Sequence, residues 1–486
     1  MNLQPLMEAN WQLAILPEII LCVGGMLLIL FDAFAPRMKG ALGPLALIIF
    51  LAAAWSGNLF DQAALFFGGT YEISSITKLF DLTFLLAGML AILFARDYLD
   101  REEIEGGEFY ALLAWGTVGM MMMSKGLDLL IVILGLEILS VCIFVLVGYN
   151  RKHAVSNEAS LKYFLMGAFA TGFILYGIAL FYGATGSTNV LVMARWFAAN
   201  EVTPLLTVGF ILLMSGFGFK LALAPFHPWA PDVYQGSPTP VAGWLSVAPK
   251  AATLIALVRL FDAMGPVLPH VNWMDMVAVL AVLSMVVGNA VAIVQRDLKR
   301  MLAYSGIAHV GYMMVAMLTV RDDSVAAVAV YTITYALMNI GAFGVVSLLI
   351  KNQNDPHTLD DIAGLGFRRK FFGFALAICM FSLAGLPPTA GFISKFYIFK
   401  TAIESGHIVV ALIGILTSIV SVYYYLRVVY YLYMKEPVEG AETLAGGGVF
   451  AVGALMIAVI GIFVIGVYPS PLFEAAGHAA RILLQQ

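Results

Sequence analysis

Apolar residues fall in runs of around twenty along almost the whole chain, and most lysines, arginines, aspartates and glutamates are confined to short stretches between them. Roughly twenty apolar residues make a helix long enough to cross the hydrocarbon core of a bilayer. The runs are continuous rather than alternating, which selects helices over a membrane barrel. They fall at about 11–34, 41–61, 77–96, 108–124, 127–148, 158–182, 205–225, 239–260, 273–295, 298–319, 324–350, 371–400, 408–434 and 447–468. The pattern predicts an all-α polytopic membrane protein of about 14 transmembrane helices.

Two of these runs are interrupted. After the seventh comes GFGFKLALAPFHPWAPDVYQGSPTPVAGWLSVAPK, and the middle of the twelfth reads SLAGLPPTAGFISKFYIFK. Pro225 and Pro228 in the first, and Gly385, Pro387 and Pro388 in the second, are the expected helix breaks. Broken backbone is tolerated at membrane depth only where protein or water satisfies the freed polar groups. Matching interruptions five runs apart suggest two copies of a five-helix unit, and an odd number of crossings inverts one copy relative to the other. The expected division is 1–104 for helices 1–3, 105–265 for the first repeat (helices 4–8), 266–436 for the second (helices 9–13), and 437–486 for helix 14.

Composition agrees: 61% of residues are hydrophobic, 12% are charged, and mean hydropathy is +0.92, all outside the range of soluble domains. Assigning loops alternately to two sides puts fourteen lysines and arginines on one side and five on the other. The richer side is expected to be cytoplasmic, which makes both termini periplasmic in a bacterial inner membrane. The leader MNLQPLMEANWQ has no cationic residue, so the first run is expected to be a retained helix. Cys22, Cys142 and Cys379 have no CxxC spacing, and there is no Walker loop, no GxGxxG after a strand and no His/Cys ligand cluster. These absences predict no metal site and no cofactor in this chain, and no basic stripe points to nucleic acid.

Ionisable residues inside the runs are therefore the chemistry. A lysine near the bilayer centre costs roughly 2.5–3.5 kcal/mol on insertion scales, so its presence marks a functional site by default. Glu137 in LLIVILGLEILSVCIFVLVGY is expected to pair with Lys220 just before the first break, as a proton gate. Lys250 in LSVAPKAATLIALV has no acidic neighbour in its own helix, and burial disfavours a charged lysine, which suits a proton relay. Lys395, after the second break, is expected to end the relay. Lys162, His309 and His227 are further candidates, and Glu158 is placed to pair with Lys162. Blander readings hold elsewhere: Lys400 as an interfacial residue, Glu18 and Asp81 as packing contacts with partner helices, and Arg427 as an anchor in an interfacial tyrosine belt.

Four stretches, GLEILSVCIFVLVGYNRK, GFGFKLALAPFHPWAPDVYQGSPTPV, DLKRMLAYSGIAHVGYMMVA and SLAGLPPTAGFISKFYIFK, closely resemble the subunit N family of bacterial proton-pumping NADH:quinone oxidoreductase, respiratory complex I, whose mitochondrial counterpart is NADH dehydrogenase subunit 2. The resemblance runs from about residue 105 to 435, and PDVYQGxPxP is its most specific part. It implies an antiporter-like fold of fourteen helices with inverted repeats, and a relay of Glu137 with Lys220, then Lys250, then Lys395. It further implies that NADH, FMN, iron–sulfur clusters and quinone are held by other subunits, and that the partners are neighbouring antiporter-like and small helical membrane subunits together with the lipid bilayer. The competing readings are an Mrp-type cation/proton antiporter subunit, a membrane-bound hydrogenase subunit and a purely structural anchor.

Overall fold

The computed structural model of the chain describes residues 11–59, 63–104, 106–319, 321–349, 357–436 and 447–484. The long helices are α1 (Leu16–Phe34), α2 (Leu42–Ser56), α3 (Ser75–Glu102), α4 (Gly107–Lys125), α5 (Leu129–Val147), α6 (Ala154–Thr185), α7 (Pro204–Leu221), α8 (Thr239–Ala263), α9 (Trp273–Val294), α10 (Leu298–Ala316) and α11 (Asp322–Ser347). They are followed by α12 (Lys370–Ala384), α13 (Ala390–Glu404), α14 (Ile408–Met434), α15 (Val449–Val467) and α16 (Ser470–Leu484). Among the described residues eleven helices are long and apolar enough to cross a membrane. The α4 helix packs against α1 and α5, α10 against α9, and α12 against α14.

Starts and stops follow local chemistry. Proline occupies the first turn of α1, α7 and α8, where its missing N–H would have no partner in any case. Asp128 caps α5 by accepting from the Leu130 N–H, and Asp297 caps α10 by accepting from Arg300. Each of these aspartates also sits in a short antiparallel bridge, Asp128 with Asn189 and Asp297 with Thr358, and both pairs are 61 residues apart in the chain.

Both interruptions occur where they are expected. The α7 helix stops at Leu221 with Ala222 at φ 58°; a short helix, Trp229–Gly236, intervenes before α8. The α12 helix stops at Ala384 with Gly385 at φ 85°, a left-handed geometry that glycine adopts freely. The Ala224–Pro225 and Pro387–Pro388 peptide bonds are both cis. At the centre, the apolar stretches of α8 and α11 are enclosed by other helices, whereas α1, α2, α14 and α15 present large exposed apolar side chains, as lipid-facing helices do.

Three elements had no counterpart in the apolar pattern. A hairpin of β1 (Ala64–Phe66) and β2 (Tyr71–Ile73) lies between α2 and α3. A short helix, Val190–Ala199, is capped by Asn189. The amphipathic α16 lies against α11 and α3, beyond the last run read from sequence. All three are too short or too polar to register as spans.

Candidate functional site: a buried file of lysines, tyrosines and histidine

Lys220, Lys250, Lys395 and His309 are all buried, at 8%, 2%, 5% and 1% exposure, so none of them snorkels to a surface of this chain. Glu137 is half-buried on α5.

The direct Glu137–Lys220 pair expected from sequence does not form. The Lys220 ammonium donates to Ser140 Oγ at 2.7 Å, and Glu137 accepts from the Thr171 hydroxyl of α6 at 2.7 Å. Ser140 lies three residues after Glu137 on the same face of α5 and donates its own hydrogen bond to the Leu136 carbonyl. Each of the two charges thus already has a neutral hydroxyl partner, Ser140 for Lys220 and Thr171 for Glu137.

Lys162 does not pair with Glu158. It reaches the carboxylate of Asp232 in the Trp229–Gly236 helix, which also accepts from Arg300 at 2.6 Å. Arg300 bonds Gln235 as well, and the buried Lys299 donates to the Ser237 carbonyl just before α8. Partial burial opposes ionisation of Asp232, but Lys162 and Arg300 overcome it and hold its carboxyl below the usual aspartate range. Sequence reading gave Asp232 no role; the acid in PDVYQG, beside the break and between two cationic helix starts, was the available signal. His227 is half-buried in the break, with its ring facing Tyr304 and a buried Nδ1 that has no partner.

Lys250 follows Pro249, which lies inside α8 and cannot donate its own backbone hydrogen bond. Its ammonium donates to the Gly306 carbonyl of α10 at 3.2 Å and stands 5.9 Å from the centre of the Tyr234 ring. Facing it, α11 widens into a single π turn over Ala336–Ile340, and Asn339 donates to Ser246 Oγ of α8 at 2.6 Å. Such turns recur at functional sites because they re-aim a side chain within an otherwise regular helix. Tyr234, Tyr335 and Trp244 have buried polar atoms without partners in this region.

From His309 onward the polar contacts are continuous. Its ring nitrogens meet Tyr331 at 2.7 Å and Tyr425 at 3.0 Å, and its plane stacks on Tyr335. Tyr425 shares a 2.6 Å hydrogen bond with Ser305 and interacts with the hydroxyl of Tyr424. Tyr424 donates to Asn289 Oδ1 at 2.9 Å, and Asn289 donates to the Tyr312 oxygen at 2.9 Å. The Tyr312 hydroxyl lies beside those of Thr417 and Ser418. Ser418 accepts from Lys395 at 2.9 Å, and Lys395 also donates to the Leu383 and Ala384 carbonyls at the open end of α12. Five helices, α9, α10, α11, α13 and α14, thus contribute to one file. Tyr331, Tyr424, Tyr425, Asn289 and Ser418 had no assigned role from sequence, because tyrosines late in a span look like an interfacial belt.

Arg427 is not a belt anchor either. It donates to the Ile293 and Gln295 carbonyls at 2.6 Å each and so closes the C-terminus of α9. Lys400 is exposed beside Glu404, consistent with an interfacial position. Among the described residues no cluster of His, Cys, Asp and Glu could hold a metal ion.

A family profile described as NADH:quinone oxidoreductase/Mrp antiporter, TM, matches residues 126–421. Curated relatives called NADH-quinone oxidoreductase subunit N include one from Trichlorobacter lovleyi, 42% identical over 96% of this chain and 97% of the relative. Another, from Solibacter usitatus and called subunit N 1, is 39% identical over 99% and 100%. Among solved structures, a chain of respiratory complex I from Thermus thermophilus with bound aureothin aligns with a TM-score of 0.81 at 34% identity, over 96% of this chain and 99% of that one. A chain of an Mrp complex from Dietzia sp. also aligns at 0.81 but at only 18% identity, over 96% and 97%, a likeness of fold alone.

Proposed function

Because this chain belongs to the NADH-quinone oxidoreductase subunit N family, we propose that it is a proton-translocating membrane subunit whose buried lysines and the His309–Lys395 file carry protons across the bilayer. Oxidation of NADH and reduction of quinone, with the FMN and iron–sulfur chemistry they require, belong to other subunits on this reading. The partners are neighbouring antiporter-like and small helical membrane subunits, in a bacterial inner membrane with both termini periplasmic.

The observation that carries the proposal is the run of polar contacts from His309 to Lys395 through a largely apolar core. Burying so many hydroxyls for structure alone is unfavourable unless each is paired, and here the pairs form a line rather than scattered couples. Lys250 stands at the head of that line, one helical turn from His309 through Gly306. The Gly306 carbonyl only accepts, so a proton leaving the Lys250 ammonium crosses to His309 by a bridging water and then passes to the Tyr425 and Tyr424 hydroxyls. Asn289 fixes the two phenols on either side of it, the amide acting as an orienter rather than a carrier, so crossing that point takes a bridging water. Tyr312 and Ser418 then lead to Lys395. Toward Asp232, the Lys162–Asp232–Arg300 bridge ties α6 and α10 to the break, and Glu137 with Lys220 can respond electrostatically to a neighbouring subunit. The two aspartate-capped bridges at equal spacing, and the two breaks with left-handed residues at their mouths, support two inverted five-helix repeats.

Proton pumping per NADH oxidised, measured in membranes carrying Lys250→Ala with assembly verified, tests the reading. Pumping through this subunit is expected to stop while the complex stays assembled; full pumping with intact assembly would leave the structural anchor as the better account.

A further inference from the structure

A second charged centre lies away from the file, at the C-terminal end of α8. Lys125, the last residue of α4 and only 2% exposed, bonds Glu18 of α1 at 2.5 Å and Asp81 of α3 at 2.7 Å. Tyr71 of β2 donates to the same Glu18 oxygen at 2.7 Å, and Ser124 donates to Asp81. Beside them Arg259 of α8 pairs with Glu72 of β2 at 2.5 Å and donates to the Ser124 carbonyl, which joins the two groups. Glu18 and Asp81 were expected to meet partner helices; they are instead closed within this chain.

Three carboxylates, Glu18, Glu72 and Asp81, bond directly to two cations, Lys125 and Arg259. Oε2 of Glu18 and Oε1 of Glu72 are buried without hydrogen-bond partners. A buried carboxylate in excess of its cations pays heavily for its charge and relieves it by taking a proton. Access exists: a cavity of about 470 Å³ opens between α1, α2, α3, α4 and α16, with Asp81, Lys125, Lys78, Asn58 and His478 on its wall. Glu18 and Glu72 do not line it. The other titratable groups around the cluster are Cys22 on α1, Tyr71 on β2, and Asp262 on α8 beside Arg259 and Glu72.

We propose that this cluster is a second proton-binding site, holding one exchangeable proton on Asp81 and exchanging it with water through the cavity. Protonation neutralises Asp81 and leaves Lys125 to Glu18 alone, so the charge of the cavity wall changes by one unit. The site stands apart from the lysine file: Arg259 lies nine residues beyond Lys250, about 14 Å along α8 at 1.5 Å per residue. It does not depend on whether Lys250 conducts.

Infrared difference titration of the intact complex, wild type minus Asp81→Asn, tests it without reference to pumping. The subtraction is expected to contain one protonated-carboxyl C=O band that appears on acidification and shifts in deuterium oxide. No such band, or a band removed by Glu18→Gln but untouched by Asp81→Asn, would overturn the assignment. Should Asp81→Asn fail to assemble, Tyr71→Phe keeps every charge and removes one hydrogen bond to Glu18. It is expected to move the midpoint of the same wild-type band, and an unmoved midpoint would equally sink the proposal. Loss of pumping in Lys250→Ala together with an absent carboxyl band would refute this site and leave the proposed function standing.

Discussion

The surroundings of Lys220 and of Lys395 carry the same sequence signal, a lysine beside a proline-broken span, and they fold into different devices. Lys220 precedes its break and turns away from it, to a serine hydroxyl on α5. Lys395 follows its break and turns back, donating to the two carbonyls that the end of α12 leaves open. A cation at a helix C-terminus satisfies orphan acceptors and meets the negative end of the helix dipole. Lys395 is thus both a structural closure and the end of a continuous polar file. Lys220 is neither, and no hydrogen bond joins it directly to Lys250. A lysine placed by side-chain partners is free to move; one placed by backbone carbonyls is held.

The largest test of that contrast is the pair Lys395→Ala and Lys220→Ala. Both are expected to abolish pumping through this subunit. Removing Lys395 also strands two buried carbonyls, a loss of about 3 kcal/mol that should appear as a lower unfolding temperature of the purified complex. Removing Lys220 leaves Ser140 bonded to Leu136, so stability should change by about 1 kcal/mol or less. Equal destabilisation by the two substitutions would break the comparison.

Next in size, Tyr425→Phe takes away the hydroxyl shared by His309 and Ser305. Pumping per electron is expected to fall roughly tenfold, the rate equivalent of about 1.4 kcal/mol, with assembly intact. Pumping at the wild-type level would mean that the file is bypassed.

Arg427→Ala separates structure from conduction within α14. Loss of its bonds to Ile293 and Gln295 is expected to lower stability by about 2 kcal/mol, read from thermal denaturation, with the pumping-to-oxidation ratio unchanged. A changed ratio would place Arg427 on the proton route.

The smallest effect belongs to Ser140→Ala, which removes the hydroxyl to which Lys220 donates. The two charges are then free to meet directly, and pumping is expected to change by about twofold or less. A collapse as large as that of Lys220→Ala would make Ser140 itself a carrier.

The apolar runs by themselves marked an all-helical membrane protein, because burying a helix in lipid requires some twenty apolar residues in succession whatever its neighbours do. The sequence has about fourteen such runs, and eleven helices among the described residues are long and apolar enough to span. Prolines and glycines marked both breaks, since they forbid the continuous hydrogen-bond ladder locally. Buried lysines declared themselves through the cost of a charge in hydrocarbon. Partnership was a different matter: Asp232 with Lys162, Ser140 with Lys220, Thr171 with Glu137, Lys125 with Glu18 and Asp81, and Tyr424 and Tyr425 as links rather than belt. These pairings join residues dozens to more than a hundred positions apart. Which hydroxyl meets which charge is set by helix rotation and packing, and a one-dimensional pattern of polarity contains neither.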